Sequence, residues 1–107
     1  MKLHSAPFEM IKSGKKTIEL RLYDEKRRKI KVGDEIIFTN TVNGETLNRT
    51  VKDIHKFDSF CELYKWLPLL KCGYTEDDVE KALPSDMERY YSQEEQDNYG
   101  VVGIELC

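Results

Sequence analysis

Polar and apolar residues alternate along the segment TIELRL, which runs from Thr17 to Leu22. Successive side chains of a β-strand point to opposite faces, so this alternation predicts a half-buried strand. Its inward face is expected to carry Ile18, Leu20 and Leu22. The opposite face is expected to carry the polar residues Thr17, Glu19 and Arg21.

Three more strands are predicted further along the chain. Glu35–Thr39 (EIIFT) is the first of them, and the Asn43-Gly44 pair after it is typical of tight hairpins. The strand at Leu47–Phe57 should therefore return antiparallel. The apolar segment Tyr99–Leu106 should form the last strand and run through the core.

Helices are predicted where capping residues precede apolar residues at helical spacing. Ser5 is a candidate N-cap of a short helix that ends at Gly14, and Ser59 with Glu62 has the spacing of a capping box before Pro68. Thr75 should cap a further helix whose buried side is formed by Val79, Ala82 and Leu83. Pro84 ends that helix, and another helical turn is expected at Asp86–Tyr91. The exposed segment Asp24–Lys31 is expected to be a connection without core contacts.

This order of elements predicts a mixed α+β fold in a single domain, residues 1–107. We expect a mainly antiparallel β-barrel of five or six strands with helices packed outside. The core should include Ile18, Leu20, Ile36, Phe38, Val101 and Ile104.

Composition narrows the class of protein. No apolar run approaches the roughly 20 residues that a membrane span requires, and no signal peptide is recognisable. The three cysteines are odd in number and have no CxxC spacing, which favours a reduced cytoplasmic setting. His4 and His55 are isolated, so we expect no metal and no cofactor. The oligomeric state stays open, and a monomer is plausible.

Charge is distributed unevenly along the chain. Residues 1–57 hold 13 Lys/Arg against 8 Asp/Glu, whereas residues 58–107 hold 4 against 12. A basic half can attract phosphate groups locally even though the net charge is -3. The alternative is that the chain simply has a basic loop early and charged helices late.

Three blocks of sequence together resemble the ASCH domain. They are Phe8-x-x-Ile11-x-Ser13-Gly14-Lys15-Lys16-Thr17-Ile18-Glu19-x-Arg21, Val32-Gly33-Asp34-x-Ile36-x-Phe38, and Gly100-Val101-Val102-Gly103-Ile104. The resemblance implies a PUA-like barrel with a cleft beside the turn from the first helix to the first long strand. It also implies RNA binding. Some small bacterial members resemble amidohydrolases that deacylate modified cytidines, and nuclease activity has been proposed for others.

The residues of this cleft can be examined for their own chemistry. Lys15, Lys16 and Thr17 lie at the entrance of the predicted strand, and Glu19 and Arg21 share a face with Thr17. Arg21 can bind a phosphate or a carbonyl edge bidentately, and Lys16 supplies a point charge. Glu19 can accept from an exocyclic amine. The alternatives are a solvated face of an edge strand or a structural Glu19–Arg21 ion pair.

The basic run Lys26–Lys31 includes Arg27 and Arg28 and is a second candidate for RNA binding. It could contact a nucleic-acid backbone, or it could be a solvated loop. Trp66 is expected to pack rather than to stack on a base. The tyrosines Tyr90, Tyr91 and Tyr99 could stack on a base, although buried tyrosines are commoner.

An amidohydrolase of this family implies a lysine, a threonine and an acid. Lys16 matches the lysine, but Glu19 occupies the threonine position and Lys71-Cys72-Gly73 stands where the acid is expected. Lys16 and Glu19 are the candidates if another catalytic chemistry operates. We therefore predict a protein that binds RNA or a nucleoside-like small molecule, with a nucleoside amidohydrolase as the first alternative and a protein-interaction module as the second.

Overall fold

A curved five-stranded sheet forms the centre of this computed structural model, which describes residues 1–107. The strands are β1 (Lys2–Leu3), β2 (Ile18–Leu22), β3 (Glu35–Asn40), β4 (Thr46–Phe57) and β5 (Val101–Leu106). Their order in the sheet is β1-β3-β4-β5-β2, and every neighbouring pair except the parallel pair β1–β3 is antiparallel. The sheet curls into a half-barrel, which confirms the predicted mainly antiparallel barrel architecture with helices outside.

Helices lie outside the sheet. They are α1 (Ser5–Lys12), α2 (Glu25–Arg28), α3 (Phe60–Trp66) and α4 (Gln93–Tyr99). Short 3₁₀ turns at Leu69–Lys71, Val79–Lys81 and Pro84–Arg89 connect α3 to α4. No helix combines the length and the apolar character that a membrane span needs.

Both faces of β2 are covered, because the sheet lies between two clusters of apolar side chains. On one face, Val102 and Ile104 of β5 pack with Phe8, Phe38 and other side chains of the larger core. On the other, Ile18, Leu20 and Leu22 pack with Phe60, Leu63, Cys72 and Val101. All six residues predicted for the core are buried. The register pairs Glu19 with Ile104 and Arg21 with Val102, so both polar side chains lie on the larger core's face.

The hairpin prediction is confirmed. β3 and β4 pair antiparallel, and the connection contains Gly44 at φ 76°, a conformation that glycine adopts without steric cost. Asn43 supports the turn by accepting a hydrogen bond from the backbone N–H of Glu45. The Ser59 cap is confirmed as well, since its hydroxyl accepts from the backbone N–H of Glu62.

The predicted helix at Thr75–Leu83 is wrong. Asp78 accepts hydrogen bonds from both the backbone N–H and the hydroxyl of Thr75, which folds a local turn there. Only the 3₁₀ turn Val79–Lys81 follows, and Leu83 is exposed. Ala82 and Leu83 are extended, and Leu83 directly precedes Pro84, a position at which the helical region is disfavoured.

Three other expectations need correction, and one strand, β1, was not predicted. Ser5 is the first residue of α1, and His4 precedes it as N-cap without a side-chain hydrogen bond. The connection Asp24–Lys31 contains the helical turn α2, because the Asp24 carboxylate accepts from the backbone N–H of Arg27. The last strand starts at Val101, since the chain before it forms α4, which buries only Gln96 and so lacks an apolar stripe. β1 has two residues, too few for alternation to be recognised.

Candidate functional site

Three charged side chains meet where β2 borders the open edge of the half-barrel. Lys16 Nζ lies 2.9 Å from Glu19 Oε1, and Arg21 Nη2 lies 3.3 Å from Glu19 Oε2. The side chains of Lys16, Glu19 and Arg21 are 10%, 4% and 16% exposed. Arg21 Nη2 also donates to the carbonyl oxygen of Lys2 in β1, 3.2 Å away. β1 and β2 are the two edge strands of the sheet, so Arg21 spans the seam between them. We therefore call Lys16, Glu19 and Arg21 the seam cluster.

The turn after α1 delivers Lys16 to this position. Gly14 ends the helix with φ 82°, and the backbone N–H of Lys16 donates to the carbonyl oxygen of Met10. The aliphatic stem of Lys16 then passes over Gly73, where an added Cβ would lie 3.5 Å from Lys16 Cδ. That distance is an ordinary van der Waals contact, so the backbone angle of Gly73, φ 114°, rather than a lack of space favours glycine here. Gly73 belongs to the segment Lys71-Cys72-Gly73, in which the resemblance to the amidohydrolases places an acid. This segment adjoins Lys16 but carries no carboxylate.

The predicted cleft residues divide into two groups. Lys16, Glu19 and Arg21 come together, and the expected approach of Glu19 to Arg21 is confirmed. Their burial is incompatible with a solvated strand face. Thr17 makes backbone hydrogen bonds to Lys71 and Leu106, but its hydroxyl contacts neither Lys16 nor Glu19 through a hydrogen bond. Lys15 is exposed.

The two arginines of the basic run have different partners. Arg27 Nη1 pairs with Asp24 Oδ2 at 3.0 Å, and its buried Nε has no hydrogen-bond partner. The guanidinium carbon of Arg28 lies 4.6 Å from the centre of the Tyr23 ring, and Arg28 Nη2 donates to the carbonyl oxygen of Tyr99. The basic run is thus tied to the sheet through Tyr23 rather than forming a free loop.

Cys72 is the residue beside the seam cluster that sequence reasoning left without a role. Burial raises the pKa of its thiol to about 12, although the Lys16 ammonium lowers it and Glu19 raises it further. At neutral pH Cys72 is therefore a protonated thiol that packs in the smaller core.

Two of the surface cavities have volumes of about 460 Å³ each. We call the first the end cavity, because it lies where β2 and β4 end and β5 begins. Its lining comprises Tyr23, Arg28, Lys56, Phe57, Asp58, Asp97, Asn98, Tyr99 and Gly100. The other is lined by Glu35, Asn48, Arg49, Thr50 and Cys107. Neither cavity is lined by a residue of the seam cluster. Sequence reasoning missed the end cavity because its lining comes from four separate segments.

His55 has partners that the sequence did not reveal. Its Nε2 lies 2.9 Å from Glu105 Oε1 and 4.0 Å from Asp53 Oδ2. The ligand atoms of these three residues are close enough together to hold a metal ion. The Lys52 ammonium lies 3.5 Å from the other oxygen of Glu105. Ordinary ion pairing between β4 and β5 therefore accounts for this group. The hydrogen bond from His55 holds the pKa of Glu105 below its usual value.

Trp66 does not pack as expected, because its residue surface is 73% exposed. α3 buries Phe60 and Leu63, and the next residue on that side is Leu67, which packs against the smaller core. Trp66 lies outside this face. Tyr91 stacks on Phe60, whereas Tyr90 and Tyr99 are exposed. A single exposed tryptophan is not the contiguous apolar patch that the protein-interaction alternative requires.

The five-stranded half-barrel with helices outside is a PUA-like fold. The family model described as ASCH domain matches residues 1–107, and the chain belongs to the ASCH domain family. The crystal structure of hypothetical protein PH0355 is similar, with 39% identity, TM-score 0.81, and coverage of 99% of this chain and 94% of that one.

Two further solved structures are similar. The solution structure of protein PF0455 from Pyrococcus furiosus is 35% identical, with TM-score 0.69 and coverage of 99% of this chain and 96% of that one. An ASCH protein from Zymomonas mobilis shares the fold at 16% identity and TM-score 0.66, covering 100% of this chain and 64% of that one. No curated protein sequence matches this chain.

Proposed function

We propose that the protein binds RNA or a nucleoside-like ligand at the seam cluster. The observation that carries this proposal is the burial of two cations and one carboxylate where the two edge strands meet. Arg21 bridges these strands there. The ASCH family is regarded as RNA-binding, which supports the same assignment.

Burial of these charges is difficult to explain by stability alone. Removing ions from water costs several kcal/mol each, and apolar side chains of similar volume are often equally stabilising or better. The cluster also carries one more positive than negative charge. Such an excess favours an anionic ligand group, such as a phosphate.

Arg21 retains unused hydrogen-bonding capacity. Both of its hydrogen bonds, to Glu19 and to the Lys2 carbonyl, are made by Nη2. A guanidinium has five N–H donors, so those on Nε and Nη1 remain available to a phosphate or a base edge. The two existing bonds hold the guanidinium in place, which reduces the entropy that ligand binding costs.

Basic residues of α2 extend the positive region around Arg21. The pKa of the Met1 amino group is lowered first by burial and then by the charges of Arg21, Lys26 and Arg27. These three cations therefore lie close enough to the Met1 amino group to act on it, and the Glu19 carboxylate opposes them there. A nucleic-acid backbone at the seam cluster would experience their combined attraction.

The test is a binding titration with short single-stranded RNA and with modified nucleosides. Arg21→Ala should weaken binding by about 1–3 kcal/mol, because one direct contact to a phosphate or base edge is lost. Arg89→Ala removes the same charge from an exposed site and should leave affinity unchanged. Equal affinity of wild type and Arg21→Ala, with both folded by circular dichroism, would contradict the proposal. RNA binding should also weaken as salt rises, with a slope that reflects only a few phosphate contacts.

The amidohydrolase alternative is favoured by one observation, the direct contact of Lys16 with a carboxylate, here Glu19. Because Thr17 is not hydrogen-bonded to either residue, the nucleophile position stays unfilled. Incubation with acylated cytidines followed by chromatography should therefore yield no free cytidine above background. Release that disappears in Lys16→Ala would establish the enzyme. Salt-insensitive binding of a free nucleoside would also favour it.

A further inference from the structure

The end cavity lies on the same face of the sheet as Arg21. Arg21 pairs with Val102, and Val102 pairs on its other side with Lys56, so these three residues form one row across β2, β5 and β4. Tyr23 follows Arg21 by two residues and donates its backbone N–H to the carbonyl oxygen of Gly100. At roughly 3.3 Å per residue, the seam cluster and the cavity are about 7 Å apart along β2.

Two cations of the end cavity have no acidic partner. Arg28 and Lys56 take part in none of the ion pairs of the structure, although Asp58 and Asp97 line the same cavity. Both cations instead lie near the ring of Tyr23, at 4.6 Å for the Arg28 guanidinium and 5.4 Å for the Lys56 ammonium. Their charges remain available to an anion.

The lining also offers planar and hydrogen-bonding groups. The Arg28 guanidinium is held between the Tyr23 ring and the Tyr99 carbonyl oxygen, and the side chain of Tyr99 is exposed beside it. Nucleic-acid bases stack on both tyrosine rings and arginine guanidinium planes. The Asn98 amide makes no side-chain hydrogen bond in the structure and can both donate to and accept from a base edge.

We propose that the end cavity holds one nucleotide of a single-stranded RNA whose neighbouring phosphate lies at Arg21. The base stacks on Tyr99 and the guanidinium of Arg28. Lys56 contacts the phosphate of this same nucleotide. This inference rests on the proposed function and adds a second subsite to it. It also gives the path of the RNA, which runs along β2 from the seam cluster to the end cavity.

The experiment measures fluorescence anisotropy of a fluorescein-labelled single-stranded RNA hexamer with the full chain. Tyr99→Ala should weaken binding by about fivefold or more, the loss expected for one base–aromatic stack. Tyr99→Phe keeps the ring and should bind within roughly twofold of wild type. Tyr99 is exposed at the end of α4, so neither change threatens the core.

Lys56 provides an independent test. Lys56→Ala should weaken binding and reduce the salt dependence by about one released counterion. Lys65→Ala removes an exposed lysine of α3 outside the cavity and should leave the salt dependence at its wild-type value.

The outcomes separate the two proposals. Loss of binding in Arg21→Ala together with wild-type binding in Tyr99→Ala and Lys56→Ala would overturn the second subsite and leave the proposed function standing. Equal weakening by Tyr99→Phe and Tyr99→Ala would overturn the stacking role. Absence of any hexamer binding by the wild-type protein would overturn the second subsite and the RNA-binding form of the proposed function, and would leave only a nucleoside-like ligand at the seam cluster.

Discussion

Glu19→Gln should strongly destabilise the protein, because it removes the only negative charge of the seam cluster while leaving its shape nearly unchanged. Lys16 would lose its ion-pair partner inside a site where its side chain is 10% exposed. Arg21 would keep its hydrogen bond to the Lys2 carbonyl oxygen but lose its counter-charge.

The expected magnitude follows from these contacts. Breaking a buried ion pair by removing one partner costs about 3–5 kcal/mol. The glutamine oxygen can still accept one hydrogen bond, and Arg21 keeps one partner, so we expect the lower end, about 3 kcal/mol. For a domain of this size each kcal/mol lowers the Tm by about 4–8 °C, which gives a decrease of roughly 12–24 °C.

Adding Lys16→Met to Glu19→Gln should recover much of this loss. Methionine fills a similar volume, and the second change removes the more buried of the two cations that the first change left without a counter-charge. The double variant should be more stable than Glu19→Gln alone and should still bind ligand poorly. This result would indicate that the charges of the seam cluster serve ligand binding rather than stability.

Thermal and urea unfolding followed by far-ultraviolet circular dichroism would measure these effects, because the exposed Trp66 is a weak reporter of unfolding. Glu62→Gln makes the same chemical change in the exposed Glu62–Lys65 pair and should not move the Tm measurably. A Tm for Glu19→Gln within a few degrees of wild type would refute the reasoning. So would a further decrease on adding Lys16→Met.

Three more predictions concern reactivity, pH and backbone strain. Because burial raises its pKa to about 12, Cys72 should resist iodoacetamide at pH 8 in the native protein and react after denaturation, as counted by mass spectrometry. Because the pKa of Glu105 is lower in the folded protein, its ionised carboxylate stabilises the fold at pH values above the unfolded-state pKa, and this stabilisation is lost as pH falls through the folded-state pKa. In His55→Ala, an NMR titration should show that the pKa of Glu105 rises. Gly100→Ala should cost more stability in urea unfolding than Gly44→Ala, since both have positive φ but only at Gly100 would the new Cβ meet a backbone oxygen, at 3.0 Å.

Local patterns in the sequence were sufficient for much of the fold. The alternation around Ile18–Leu22 predicts β2 because a strand's side-chain period is two, and the Asn43-Gly44 pair predicts the hairpin because few residues tolerate its backbone angles. Where local signals were absent or misleading, the predictions failed. Leu83 had helical spacing but precedes Pro84, and α4 has a capping box at Ser92 but buries only Gln96.

The sequence by itself placed Lys16, Glu19 and Arg21 near one another, since strand periodicity and the turn before β2 are local properties. Only the tertiary structure decided that both faces of β2 are covered, which turned a polar strand face into a buried ion cluster that reaches Lys2 across the seam. The end cavity likewise depends on long-range register, because Tyr23, Lys56 and Tyr99 are far apart in sequence and meet through the pairing of β2, β4 and β5. Contacts of this kind are set by packing and strand order, and no local sequence pattern encodes them.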